Sequence, residues 1–146
     1  MADTKLTYAA SVVITISPAS LATSSTRTAG RESTAVDNTS DKYIDALVGG
    51  KITTGTTPTA GKQIDVWVYA EWEDTPGYPD VLDGTDSAET ITSENVRNSA
   101  MKLAATIYVD STSDRTYYVA PFSVRQLFGG IGIPARWGLF IANDTV

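Results

Sequence analysis

The most regular signal along the chain is a two-residue alternation of apolar and polar side chains. Leu6, Tyr8, Ala10, Val12, Ile14 and Ile16 hold one parity while Thr7, Ser11, Thr15 and Ser17 hold the other, which predicts a half-buried strand over 6–16. Lys5 before this stretch and the small residues from Ser17 to Ala22 after it imitate a secretion signal, but a strand period argues against one. Alternation returns over 42–54, with Ile44, Ala46, Val48, Gly50 and Ile52 opposed to Tyr43, Asp45, Leu47 and Lys51. Gly55, Pro58 and Gly61 then punctuate the chain before QIDVWVYAEWE, where Ile64, Val66, Val68, Ala70 and Trp72 oppose Asp65, Trp67, Tyr69 and Glu71. We read these two strands as a hairpin. Trp67 and Tyr69 give the second strand apolar mass on both faces, so it is expected to be central or covered by a partner.

Residues 74–99 are rich in Pro and Gly and predict a loop with one helical turn after Ser93. A strand follows with Met101, Leu103, Ala105, Ile107 and Val109 inward. Another opposes Tyr117, Val119 and Pro121 to Tyr118, Ala120 and Phe122. Ser123 is placed to cap a single turn through Leu127 that ends at Gly129 and Gly130, and the last strand spans Ala135 to Asn143. Between them, residues 18–41 are small and polar, and predict a Ser/Thr-rich arm or loop with at most a short strand near Ser33–Val36. One reason for so long an excursion is contact with a neighbouring subunit. Thr and Ser fill 34 of the 146 positions, which favours pleated structure over long helices. The expectation is one all-β domain over 1–146, an antiparallel β-sandwich, jelly-roll-like, with a long polar N-terminal excursion.

Composition narrows the chemistry. There is no His and no Cys, which removes the commonest general base, the commonest transition-metal ligand and every thiol nucleophile. Ser99 and Lys102 match S-x-x-K, but neither the scaffold nor the outward parity of Lys102 suits a Ser-Lys hydrolase, and no catalytic residue is assigned. A formal net charge of -6 opposes nucleic-acid binding, and no apolar run approaches the length of a membrane helix. Glu71, Glu73, Asp74, Asp80, Asp83, Asp86, Glu89 and Glu94 lie in a stretch without Lys or Arg. Within it, Asp80 to Glu89 offers oxygen ligands for Ca²⁺ without matching an EF-hand loop, so the expectation is no cofactor. The bland reading is a solvated acidic loop. Trp67, Trp72, Trp137 and the seven tyrosines permit a sugar-stacking surface, although alternating aromatics in strands more commonly fill a core or an interface. Gly129-Gly130-Ile131-Gly132 lacks the Lys and the helix of a phosphate loop.

Three long strings carry a resemblance. DKYIDALVGGKITTGTTPTAGKQIDVWVYA, YPDVLDGTDSAETIT and FSVRQLFGGIGIPARWGLFIANDT resemble small all-β virion structural proteins of tailed bacteriophages, over about residues 40 to 145. The resemblance implies an accessory component of the particle, in the head or the tail. The expectation drawn from it is a capsid decoration or cement protein on the capsid surface, made in the host cytoplasm. Its partners would be the major capsid protein and copies of itself, with no nucleic acid and no membrane. Arg27 and Arg31 in the arm, and Trp67, Tyr69 and Trp72, are the candidate partner-interface residues, because aromatics and Arg dominate interface hot spots. The alternative is a tail-tip or fibre adsorption module that binds host-surface carbohydrate.

Overall fold

Two strands, Gln63–Ala70 and Arg136–Asp144, lie side by side through eight registered pairs, from Gln63 opposite Asp144 to Ala70 opposite Trp137. Both are apolar on both faces, and the computed structural model, which describes residues 8–73 and 77–146, places them at the centre of its main sheet. In chain order the strands are β1 (Ala29–Glu32), β2 (Val36–Asp37), β3 (Leu47–Thr53), β4 (Gln63–Ala70), β5 (Ala88–Thr90), β6 (Lys102–Tyr108), β7 (Thr116–Ser123) and β8 (Arg136–Asp144). Two short helices, α1 (Glu94–Ala100) and α2 (Val124–Leu127), complete the elements. The main sheet runs β5-β1-β8-β4-β6, with β2 also on β8, and β3 and β7 form a separate two-stranded ribbon. Every pairing is antiparallel, so the chain is mostly β, as expected.

The alternation of β4 and β8 sorts the core onto two faces. Ile64, Val66, Val68, Trp137, Leu139 and Ile141 pack with Val119, Val124, Ile52 and Phe122 beneath the ribbon and α2. Trp67, Tyr69, Phe140 and Ala142 pack on the other face with Leu82, Ile91 and Met101, under α1 and the loop before β5. A strand buried on both faces is what the double apolar parity of β4 required. Ser93 caps α1 by accepting from the Val96 amide at 3.2 Å, so the expected turn is present and extends to seven residues.

Four expectations are corrected. First, β3 does not form a hairpin with β4. β4 finds β6 and β8 on its two edges, whereas β3, with one polar face, pairs with β7. Second, residues 8–16 form no strand, and Leu6 and Thr7 lie outside the described residues. Ile14 and Ile16 still pack onto the core, but Tyr8, Val12 and Val13 are exposed, so the alternation there marks a strap and not a ladder.

Third, bulges break two parities. The ladder from β4 to β6 shifts between Val66 and Trp67, which turns Ala104 inward and leaves Leu103 46% exposed. The ladder from β3 to β7 shifts between Val48 and Gly50, so Val119 and Phe122 both face the core while Pro121 faces solvent.

Fourth, the polar segment 18–41 is not a surface excursion throughout. β1 is inserted in the main sheet between β5 and β8, with Gly30 opposite Ala142 and Glu32 opposite Phe140. A polar segment is buried without penalty when its groups are paired, and these are. Ser33 Oγ donates to the Thr34 carbonyl at 3.0 Å and accepts from the Leu139 amide at 2.9 Å. The Ser33 carbonyl accepts from Tyr69 Oη at 3.1 Å. Arg97, itself buried, donates through Nη1 to the carbonyls of Thr26 and Arg27, each at 2.7 Å, and lies 4.7 Å from the Trp67 ring centroid.

Candidate functional site

Several carboxylates in and beside the acidic loop are hydrogen-bonded, while Glu73, Asp80, Asp83 and Glu94 stay exposed. Glu32 is fully buried, and its carboxylate accepts from the amides of Gly84 at 2.7 Å and Asp83 at 3.2 Å. Burial pushes its carboxyl above the usual range, against the hydrogen bonds that favour the charged form. Asp86 accepts from Arg31 Nε at 2.6 Å and from the Ser17 amide at 3.0 Å, while Arg31 Nη2 donates to the Asp86 carbonyl at 2.7 Å. The hydrogen bond from Arg31 is the main reason that its carboxyl is held down at about 2. Asp80 accepts from the amide and hydroxyl of Thr92, Asp83 from those of Thr85, and Glu89 from Ser87. The Asp83 and Glu89 bonds are local, two residues apart, whereas the Asp80 bonds tie the start of the loop to the residue before the α1 cap. Among the described residues no three Asp, Glu, His or Cys side chains converge in a group that could hold a metal ion.

The five candidate interface residues fall in different places. Arg27 pairs with Asp65 at 2.9 Å and reaches Asp144 at 3.7 Å, and Arg31 is spent on Asp86. Trp67 and Tyr69 are core residues. Burial pushes the Tyr69 phenol far up, and its ring meets that of Tyr78 edge-on at 5.5 Å. Trp72 is the one of the five presented to solvent, at 67% exposure. Ser99 sits in the last turn of α1, not in a strand, and its hydroxyl donates to the Val96 carbonyl at 3.0 Å.

Trp72 stands just beyond the end of β4. The chain turns there because the Glu71 amide still donates to the Arg136 carbonyl at 3.0 Å, whereas the Trp72 amide donates to the Gly77 carbonyl at 2.9 Å. Two open clefts meet at its ring. One, of about 350 Å³, is lined by Trp72, Glu73, Gly77, Tyr78 and Pro79. The other, of about 300 Å³, adds Thr39, Glu71, Ala135 and Arg136. Arg136 is clamped between Glu71 at 2.9 Å and Asp37 at 3.2 Å, and Asp37 also accepts from the amide and hydroxyl of Thr39.

A second surface lies where β3 begins. Asp45 accepts from Ser123 Oγ at 2.7 Å, the Arg125 amide at 3.1 Å and the Ala46 amide at 2.7 Å. Burial raises its carboxyl, but these bonds outweigh it and leave the group below its ordinary value. Ser123 caps α2 by accepting from the Gln126 amide. Arg125 closes the turn on the Gly130 carbonyl, with Gly129 and Gly130 in the left-handed region at φ 90 and 81. Val124, fully buried, donates its amide to the Ala46 carbonyl at 3.0 Å. On this fixed base Tyr43, Ile44 and Leu47 are 50%, 63% and 59% exposed. Alternation put Tyr43 and Leu47 on one face and Ile44 on the other, yet all three are exposed. Ile44 lies before the first ladder pair, where strand parity no longer applies.

No family model, no curated protein and no solved structure matches this chain.

Proposed function

We propose that this chain is a virion structural protein of a tailed bacteriophage, a decoration protein that docks on the major capsid protein and stabilises the shell. One observation carries the reading. Two of the strings that resemble such proteins contain the segments LVGGKITTGTTPTAG, from Leu47, and SVRQLFGG, from Ser123, and Leu47 and Ser123 are ladder partners. The strings therefore meet at the Asp45 corner, beside the exposed Tyr43, Ile44 and Leu47. Apolar side chains held out on a pinned backbone suit docking, because little side-chain or loop entropy is lost on contact.

The fold half of the proposal is a lopsided β-sandwich, jelly-roll-like in its long-range antiparallel pairings, with the β3–β7 ribbon as the thinner layer over the main sheet. The internal use of Arg27, Arg31 and the acidic loop moves the proposed capsid contact away from the 18–41 segment and onto this corner.

The test is stoichiometric. In purified particles of the encoding phage, calibrated mass spectrometry against the major capsid protein should give a ratio that scales with the capsid lattice. Leu47→Asp should abolish rebinding to particles stripped of this protein while leaving the fold intact by circular dichroism. A few copies per particle, or none, overturns the reading.

A further inference from the structure

The Trp72 clefts share no lining residue with the Asp45 corner, and they set an exposed indole among charged side chains. Trp67 and Trp137 are buried at 7% and 2% exposure, whereas Trp72 leaves an indole open at the end of the most buried strand. An exposed aromatic is ordinary when it is loose. Here the Glu71 amide before the ring bonds the Arg136 carbonyl, and the Trp72 amide bonds Gly77. Tyr78, on the wall of the larger cleft, is half-buried and braced against the core ring of Tyr69.

The charges decide what fits. Arg136 is offset by both Glu71 and Asp37, and Glu73 adds a further carboxylate, so the surroundings of the ring are net negative. That disfavours phosphate, sulfate and uronic acids. A quaternary ammonium would meet the right sign, but it is held by rings that enclose it, and these clefts are open. A ligand with apolar C–H faces to lie on the indole and hydroxyls to bond the rim of carboxylate, guanidinium and Thr39 matches this surface. The two clefts, of about 350 and 300 Å³, are open and share Trp72 and Glu73, which suits a ligand lying along the surface.

We propose that Trp72 and its two clefts form a binding site for a neutral oligosaccharide, an activity additional to shell docking and carried by different residues. Tyr78 and Glu73 line one side of the site, and Thr39, Glu71 and Arg136 the other.

The chain of residues 1–146 would be screened on an array of neutral and acidic glycans, and hits titrated while following acrylamide quenching of tryptophan fluorescence. Because Trp72 is the exposed indole, bound sugar should protect it from the quencher. Trp72→Ala should weaken binding at least tenfold with an unchanged melting temperature, and Trp72→Phe, which keeps an aromatic face, should stay within about threefold of wild type. The proposal is overturned if no neutral glycan binds, if Trp72→Ala binds as well as wild type, or if choline chloride protects Trp72 while glycans do not. None of these outcomes changes the copy number on the particle, so the two proposals fail separately.

Discussion

Gly30→Ala is the sharpest test of how the polar N-terminal segment is built into the sheet. A Cβ at this position would lie 2.5 Å from the Ile141 carbonyl oxygen and 2.8 Å from Phe140 Cε1, with Phe140 Cζ closer still. Non-bonded carbon pairs are most favourable at about 3.5–4.0 Å, so the methyl group does not fit. Phe140 is fully buried, and Ile141 belongs to a strand that is also paired with β4, so neither can yield cheaply. Relief must come from β1 moving away from β8, which would also draw Glu32 off the amides of Asp83 and Gly84.

Overpacking costs about 1–3 kcal/mol, and a clash with backbone puts this site near 3. For a chain of this size that corresponds to a fall in melting temperature of about 6–12 °C. Urea denaturation gives the free energy, and limited trypsinolysis gives the location. Arg27 and Arg31 should resist cleavage in the wild type and become sensitive in the variant. Gly55→Ala, where an added Cβ meets nothing within 4 Å, is the control and should stay within about 0.5 kcal/mol of wild type. The reasoning is refuted if Gly30→Ala is equally neutral, or if trypsin cuts the wild type at Arg31 as fast as it cuts the unfolded chain.

Other outcomes follow from the same contacts. Tyr69→Phe removes the donor to the Ser33 carbonyl and should cost about 1–3 kcal/mol in urea denaturation, because that carbonyl is left buried and unpaired. Asp45→Ala should cost about 0.5–2 kcal/mol and speed hydrogen exchange at the Arg125 amide, which it leaves without its acceptor. Glu32 has a folded pKa above its ordinary 4.5, so its contribution to stability falls as pH rises through and above that value. Glu32→Gln should flatten the decline in melting temperature as pH rises above 4.5. Asp86 is shifted the other way, to about 2, so the stability it contributes is present above 3.8 and lost as pH falls towards 2. Asp86→Asn should remove that acid-limb slope.

What the sequence made legible depended on local physics. β4 carries large apolar residues on both parities, and such a run belongs at the centre of a sheet or under a partner, whereas the central place of β8 was not read from its pattern. Ser93 and Ser123 announced their helices because capping is a matter of adjacent residues. β1 was invisible for the opposite reason. Ala-Gly-Arg-Glu has no apolar mass, and what holds it is a ladder to residues more than a hundred positions away and a carboxylate sealed by a distant loop.

The two bulges were equally unreadable, since one extra residue moves Leu103 outward and Ala104 inward without any change in local pattern. The candidate surfaces followed suit. Trp72 kept the parity of Ile64, Val66 and Val68, but the strand ends at Ala70, and the turn that follows delivers its ring to solvent.

The buried carboxylate of Glu32 also bears on how the molecule ages. Asp83-Gly84 is an Asp-Gly step, the aspartyl sequence most prone to backbone rearrangement, in which the glycine amide nitrogen attacks the aspartyl carboxyl carbon and water leaves as the succinimide closes. That route needs a free amide and a protonated carboxyl. Here the Gly84 amide is committed to Glu32 at 2.7 Å, and hydrogen bonds from Thr85 hold the Asp83 carboxyl below its ordinary value. Both reactants are occupied by the same fold that fixes the loop, so in the folded protein this step is protected from isoaspartate formation, and chemical damage there becomes a record of time spent unfolded.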